Sequence, residues 1–378
     1  MRTSETIMEG LMREIEFLED INLEEVSSWF EKIKHVAKIL APDILLDLPP
    51  KDINQLRNRI IIASDGSVYQ KKFSSMCVIL TSACTYSTEY GDLRLSQKFR
   101  PKTVFVHPYG SDIIASFYMK ALEYFVTLDA VKECLEKRNP DLVLLDGTMT
   151  FPEDFSFDSA PQWIQKVYKD WLLKYANEFF EFCYENAIPV VSITKAPIAN
   201  KFLNGIRKQL QDPINIKQEM NGLNSKELFI SEWEKYLSTI SEMALMKHLM
   251  WDKELLRTKT IEVSRALRLE IPIERLKGNV IGFYFKPIRT ASPLFVEVPA
   301  WIIEANEKFR DILNILTNLC IYSPISGYPS YLYFAHKTGL LKRKFMNRVI
   351  SVIHRAARQK FKENYSNLFS AAWRDYLE

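Results

Sequence analysis

Cysteine is too scarce and too scattered to organise this chain. The 378 residues hold five, Cys77, Cys84, Cys134, Cys183 and Cys320, and no CxxC pair. Neither a zinc ribbon nor a disulfide framework is built from such a set, and a reducing compartment suits it. Long apolar runs are also missing: none approaches the ~20 residues that a membrane span needs. Met1 to Glu16 is studded with charges and has no secretion-signal core. The expectation is a cytosolic protein that does not enter a membrane. Glycine is sparse at 11 residues, whereas Phe and Tyr number 23 and 17 and hydrophobic residues reach 47%. That balance favours packed helices and strands over flexible linkers. Net charge is only +3, so a polyanionic partner could announce itself only through local clustering. No GxSxG, HExxH or GxxxxGK[ST] occurs, which argues against a serine nucleophile, a zincin helix and an ATP-hydrolysing P-loop.

What is present begins with Arg59 to Tyr69, RIIIASDGSVY. Ile60 to Ala63 is a short apolar run of the buried-strand kind. Ser64-Asp65-Gly66-Ser67 is expected to end it in a turn and to leave the Asp65 carboxylate at the end of a rigid element. The pattern recurs downstream, where Leu142 to Leu145 is followed by Asp146-Gly147-Thr148. Taken singly, each Asp-Gly reads as turn chemistry. Two strands that both end in DG[ST] could lie side by side and pair their carboxylates, the raw material of a divalent-metal site.

The element order points the same way. Residues 1–57 read as a helical N-terminal extension, with Trp29, Ile33, Val36 and Leu40 at helical spacing and Pro49-Pro50 as punctuation. Residues 58–378 read as the main domain with a basic C-terminal helix. Strands are expected at Ile60 to Ala63, Ser75 to Ala83 and Thr103 to His107, then a long helix over Asp112 to Glu136. The strand ending at Asp146, a helix over Gln162 to Asn186 and a strand at Pro189 to Ile193 follow. This βββαβαβ order predicts an α/β fold, a mixed ribonuclease-H-like sheet flanked by helices, with antiparallel strands first and parallel crossovers later. In it the first and fourth strands are neighbours, so Asp65 and Asp146 meet. Beyond Lys195, Ile198 to Lys226 reads as an insertion or loop, Ser231 to Leu249 as helix, and Val280 to Phe285 and Leu294 to Val298 as strands.

A third carboxylate is expected from the helix between strands three and four, where Glu123 stands in the otherwise apolar Lys120-Ala121-Leu122-Glu123-Tyr124. Asp and Glu oxygens suit Mg²⁺ or Mn²⁺ rather than zinc. Two such ions, roughly 3.5–4 Å apart, could polarise a phosphodiester without any nucleophilic side chain. His336 is the fourth candidate, in GYPSYLYFAHK at Gly327 to Lys337; a lone His on an aromatic face is otherwise a structural residue. It heads a stretch, Lys337 to Lys362, with nine Lys/Arg and no acid. A solvated helix face normally mixes signs, so Lys337, Lys342, Arg343, Lys344 and Arg348 read as phosphate contacts without sequence preference. Phe345, Val349, Val352 and Ala356 would form that helix's buried stripe. Tyr331, Tyr333 and Phe334 are either core or a stacking surface for single-stranded bases.

At this point the residues resemble the NurA nuclease family over Arg59 to Lys342. IIASDGS and LLDGT are similar to the family's two metal-binding strands, ALEYF at Ala121 to Phe125 to the helix bearing its Glu, and VVSITKAP at Val190 to Pro197 to the strand that ends in its Lys, here Lys195. VIGFYFKP and FVEVPAW resemble its paired strands, and GYPSYLYFAHK its His segment. Ser330-Tyr331 departs from the usual Tyr-Pro, the family's GER segment is not evident near Arg257 to Arg268, and Asp252 is the nearest match to the acid that precedes that segment. The resemblance implies a PIWI-like fold and a Mn²⁺-dependent 5′-to-3′ deoxyribonuclease with single-strand endonuclease activity. It implies Asp65, Glu123, Asp146 and His336 as metal ligands, with Lys195 in the catalytic set. It also implies a homodimer that works with a HerA-type hexameric ATPase in DNA end resection and double-strand break repair. Two other readings use the same fold: a non-catalytic nucleic-acid-binding protein, and a junction resolvase or transposase.

Overall fold

Successive side chains of a strand point to opposite faces, and here both faces are apolar. Ile62, Val143, Leu145 and Val190 enter one buried cluster, whereas Ile61, Ala63, Leu142, Leu144, Val191 and Ile193 enter another. Such a sheet needs cover on both sides. The computed structural model describes residues 44–73, 77–89, 92–104, 111–149, 161–195, 242–263, 280–325, 327–339 and 343–361. It supplies that cover with helices.

In chain order, β1 (Leu45–Asp47) and a 3-10 turn (Ile53–Leu56) precede β2 (Ile61–Lys72), β3 (Cys77–Glu89) and β4 (Asp92–Val104). Helix α1 (Ser111–Leu135) crosses back to β5 (Leu142–Asp146). Helices α2 (Gln162–Val167) and α3 (Lys174–Glu185), joined by a π-helical turn over Tyr168–Leu173, lead to β6 (Val190–Thr194). Then come α4 (Glu242–Leu249), β7 (Leu256–Thr258), β8 (Ile261–Glu262), β9 (Val280–Lys286) and β10 (Leu294–Pro299). Helices α5 (Ala300–Ile303), α6 (Asn306–Ile321), α7 (Ser330–Gly339) and α8 (Arg343–Phe361) close the described chain.

Among the described residues, ten strands make one sheet in the order β1-β7-β9-β10-β6-β5-β2-β3-β4, with β8 on β9. β2, β3 and β4 are antiparallel, while β2–β5 and β5–β6 are parallel. This is the ribonuclease-H-like core expected from the element order. β10 then adds antiparallel to β6, and β9 to β10. Helices α1 and α3 cover one face through Tyr124, Leu128, Phe179 and Phe180. Helices α6 and α7 cover the other through Ile312, Leu316, Leu332 and Ala335. No described helix is long and apolar enough to cross a membrane.

Several expectations need correction. Ser64-Asp65-Gly66-Ser67 is no turn: β2 runs straight through it to Lys72, paired residue for residue with β3 as far as Cys77. The ladder overrides the local turn propensity, a common outcome for strands. Gly66 is needed for another reason, because a Cβ there would stand 2.7 Å from Met119 Cγ on α1. The third strand is Asp92–Val104 rather than Thr103 to His107; residues 105–107 lie outside the described residues. The buried stripe of α8 is Met346, Ile350 and Ala357 with Val349 and Ile353 at its flank, whereas Val352 is 64% exposed. The N-terminal segment ends in strand, since Leu45–Asp47 pairs with β7. Residues 1–43 and the expected loop Ile198 to Lys226 lie outside the described residues.

The close approach of α1 to β2 is directly testable. Replacing Gly66 by Ala forces Met119 aside and should lower the stability by about 1–3 kcal/mol. It should appear as a lower denaturant midpoint at unchanged slope. An unshifted midpoint would contradict so tight a contact.

Candidate metal centre

The parallel ladder sets the first two residues. Ser64 on β2 is the partner of Leu145 on β5, so the next residue on each strand is an aspartate. Asp65 shares its parity with Ile61 and Ala63, and Asp146 shares its own with Leu142 and Leu144. Both therefore face α7. That helix brings His336, whose Nδ1 lies 2.7 Å from Asp65 Oδ2. Ligand atoms of Asp65, Asp146 and His336 all lie within 4.8 Å of one another. Two carboxylates and an imidazole form a donor set that suits a divalent ion such as Mn²⁺ or Mg²⁺. The ring nitrogen beside Asp65 either donates to it or shares an ion with it.

Glu123 comes from α1, on the far side of the sheet, and falls outside that trio. It is 1% exposed. Its Oε2 lies 2.8 Å from Lys120 Nζ, while its Oε1 is buried with no hydrogen-bond partner. Lys195 follows β6, with Nζ 3.4 Å from Asp146 Oδ2 and 4.1 Å from the centre of the Tyr328 ring. Of the five residues singled out by sequence, Asp65, Asp146 and His336 converge on one point. Lys195 flanks it, and Glu123 approaches from behind.

The expected DNA contacts are more dispersed. Lys337 is exposed on α7, its Nζ 5.6 Å from the Tyr333 ring centre. Arg343 and Lys344 open α8, and Arg348 is exposed along it. Lys342 lies outside the described residues. Asp252 sits in an exposed turn at φ 58° and pairs with Arg289, away from the trio. Phe334 stacks on Tyr86 with ring centres 5.2 Å apart, and Tyr331 meets the same ring edge-on.

Three residues at the site escaped the sequence reading. Lys120 also donates to the backbone carbonyl of Asp146 at 2.5 Å. Tyr328 lies beneath Lys195, its phenol pushed up by burial and by the charges of Asp146 and Asp65. Glu297, wholly buried on β10, accepts from Thr148 Oγ1 at 2.8 Å and Met149 N at 2.6 Å. Gly147, at φ 85°, donates to Ile193 O at 2.9 Å, and its carbonyl accepts from the Ser192 hydroxyl. The turn after Asp146 is therefore held at each residue. A carboxylate between apolar neighbours in LFVEV, and a lysine one helical turn before Glu123, were the signals available.

Burial, and next the charge of Asp146, push the Asp65 carboxyl up to about 6, against the opposing pull of His336 and Lys120. Burial pushes Glu123 up to about 7, Lys120 opposing and Asp65 and Asp146 adding. Both groups bind a proton more tightly in the folded chain than at their ordinary values of 3.8 and 4.5. Their ionisation therefore costs stability progressively from about pH 4 to pH 7. For Asp65 alone the cost is on the order of 3 kcal/mol. Asp65→Asn should accordingly raise the Tm in EDTA by roughly 3–8 °C at pH 7.5 and far less at pH 4. An equal shift at both pH values would contradict this electrostatic origin.

The comparisons with known proteins bear on the family and on the fold. The NurA domain model matches residues 59–338. Among solved structures, the NurA nuclease from Sulfolobus solfataricus superposes with a TM-score of 0.61 at 12% identity, covering 93% of this chain and 99% of that one. A second NurA structure gives a TM-score of 0.50 at 13% identity, covering 93% of this chain and 96% of that one. At such identities the superpositions speak for the fold alone. No curated protein matches the chain.

Proposed function

The chain belongs to the NurA family of nucleases, and from that premise we propose that it cleaves DNA with the help of a divalent ion held by Asp65, Asp146 and His336. The observation that carries this reading is the convergence of their three ligand atoms within 4.8 Å. An ion there, Mn²⁺ or Mg²⁺, supplies the positive charge that polarises a phosphodiester and activates water. The chain's own residues do the rest. Asp65 and Asp146, neighbours by strand register, hold their carboxylates in place before substrate arrives. His336 either completes the ligand set or moves a proton beside it. Lys195 remains half exposed next to Asp146, within reach of a phosphate oxygen. The two-ion arrangement expected from the sequence would draw Glu123 away from Lys120.

The basic helix supports DNA as the substrate. Its apolar stripe packs on Phe73, Val78 and Leu80, at the far end of the β2–β3 hairpin. Arg348, Arg355, Arg358 and Lys360 are exposed. Such a face gathers a phosphate backbone without reading sequence. The finer reading follows the family resemblance: a 5′-to-3′ exonuclease with single-strand endonuclease activity, acting as a homodimer in end resection and break repair beside a HerA-type ATPase in the cytosol. A non-catalytic binding protein is disfavoured because such a site tends to lose a ligand, and Asp65, Asp146 and His336 are all present. A resolvase or transposase would use the same residues on branched DNA.

The test is cleavage of 5′- and 3′-labelled linear DNA with Mn²⁺, Mg²⁺ or EDTA. Cleavage should require the metal and release the 5′ label first. Asp65→Ala and Asp146→Ala should each remove it while the protein stays folded. His336→Ala should need more Mn²⁺ if the imidazole is a ligand, and should lose rate at an unchanged Mn²⁺ requirement if it moves a proton. Full activity of Asp65→Ala would refute the assignment.

A further inference from the structure

The Lys120 side chain is only 10% exposed, paired with the Glu123 carboxylate. It contacts Glu123 at 2.8 Å and the backbone oxygen of Asp146 at 2.5 Å, and its charge also acts on Asp65. An ammonium is a compact point charge with three donors, and two of them are used here, one on the Glu123 carboxylate and one on the Asp146 carbonyl. Glu123 spends one oxygen on this ammonium and keeps the other buried. The trio that converges without it offers two carboxylates and an imidazole.

We propose that Lys120 is the site's built-in cation. Its ammonium occupies Glu123, so that the centre binds one divalent ion, on Asp65, Asp146 and His336, instead of two. A second divalent ion on Glu123 would press against the ammonium in a buried setting, where like charges are poorly screened. Lys120 also gains a positioning role, because the carbonyl it holds belongs to the residue that bears the Asp146 ligand. The inference rests on the metal-site reading proposed above.

The test counts ions and needs no DNA. Mn²⁺ is titrated into the full-length protein, and the ion left free is read from its electron paramagnetic resonance signal. One Mn²⁺ per chain is expected in the wild type. Glu123→Gln, a near-isosteric change that stays compatible with folding, should still bind one, with affinity within about threefold. Lys120→Gln keeps a donor but not the charge and should gain a second ion. Two ions in the wild type, loss of the ion in Glu123→Gln, or a single ion in Lys120→Gln would each overturn the proposal. Asp65→Asn separates this failure from that of the underlying reading. Mn²⁺ binding that survives unchanged in that variant would remove the metal site itself, and the proposal with it.

Discussion

Parallel hydrogen bonding between β2 and β5 ends at Ser64 and Leu145, and each strand continues with an aspartate that cannot move away from the other. Two carboxylates fixed so closely, one of them only 5% exposed, repel each other and lose hydration together. The surrounding elements compensate in different ways. From α7, His336 contacts Asp65; from the end of β6, Lys195 approaches Asp146; from the opposite face, Lys120 grips the Asp146 carbonyl. Glu297 holds the turn that follows. Charge gathered in this way is characteristic of functional sites.

Much of this was legible in the sequence because the central strands are short apolar runs bounded by polar residues. Ile60 to Ala63 and Leu142 to Leu145 are such runs, and the βββαβαβ order by itself makes Asp65 and Asp146 neighbours. The errors have local causes. Asp-Gly-Ser is turn chemistry in isolation, and only pairing with β3 shows that it lies inside a strand. Asp92–Val104 is rich in charge and contains Pro101, so its strand character comes from the neighbouring ladder rather than from periodicity. β1, β7 and β8 span two or three residues, too few to carry a pattern. In α8 the apolar Val352 fitted a helical stripe one residue out of phase with the true one. Lys120, Tyr328 and Glu297 matter through contacts with distant segments, which no local window contains.

The same misread strand explains how the site and the basic helix are joined. Because β2 passes through Asp65 and runs on to Lys72, the β2–β3 hairpin extends well beyond the carboxylates. α7 lies over the near part of this shelf, with Gly339 close enough that a Cβ would stand 3.5 Å from the Asp65 carbonyl. α8 lies over the far part, with His354 edge-on to Phe73 at 5.0 Å between ring centres. One continuous hairpin thus supports the candidate ligands and the cationic helix in series.

The most direct measurement is anomalous diffraction at the manganese edge from crystals of the full-length protein grown with Mn²⁺. The expected result is a peak bonded to carboxylate oxygens of both Asp65 and Asp146 and to a ring nitrogen of His336. A peak elsewhere on the chain, or a manganese ion that leaves either aspartate uncoordinated, would contradict the site built here from strand register.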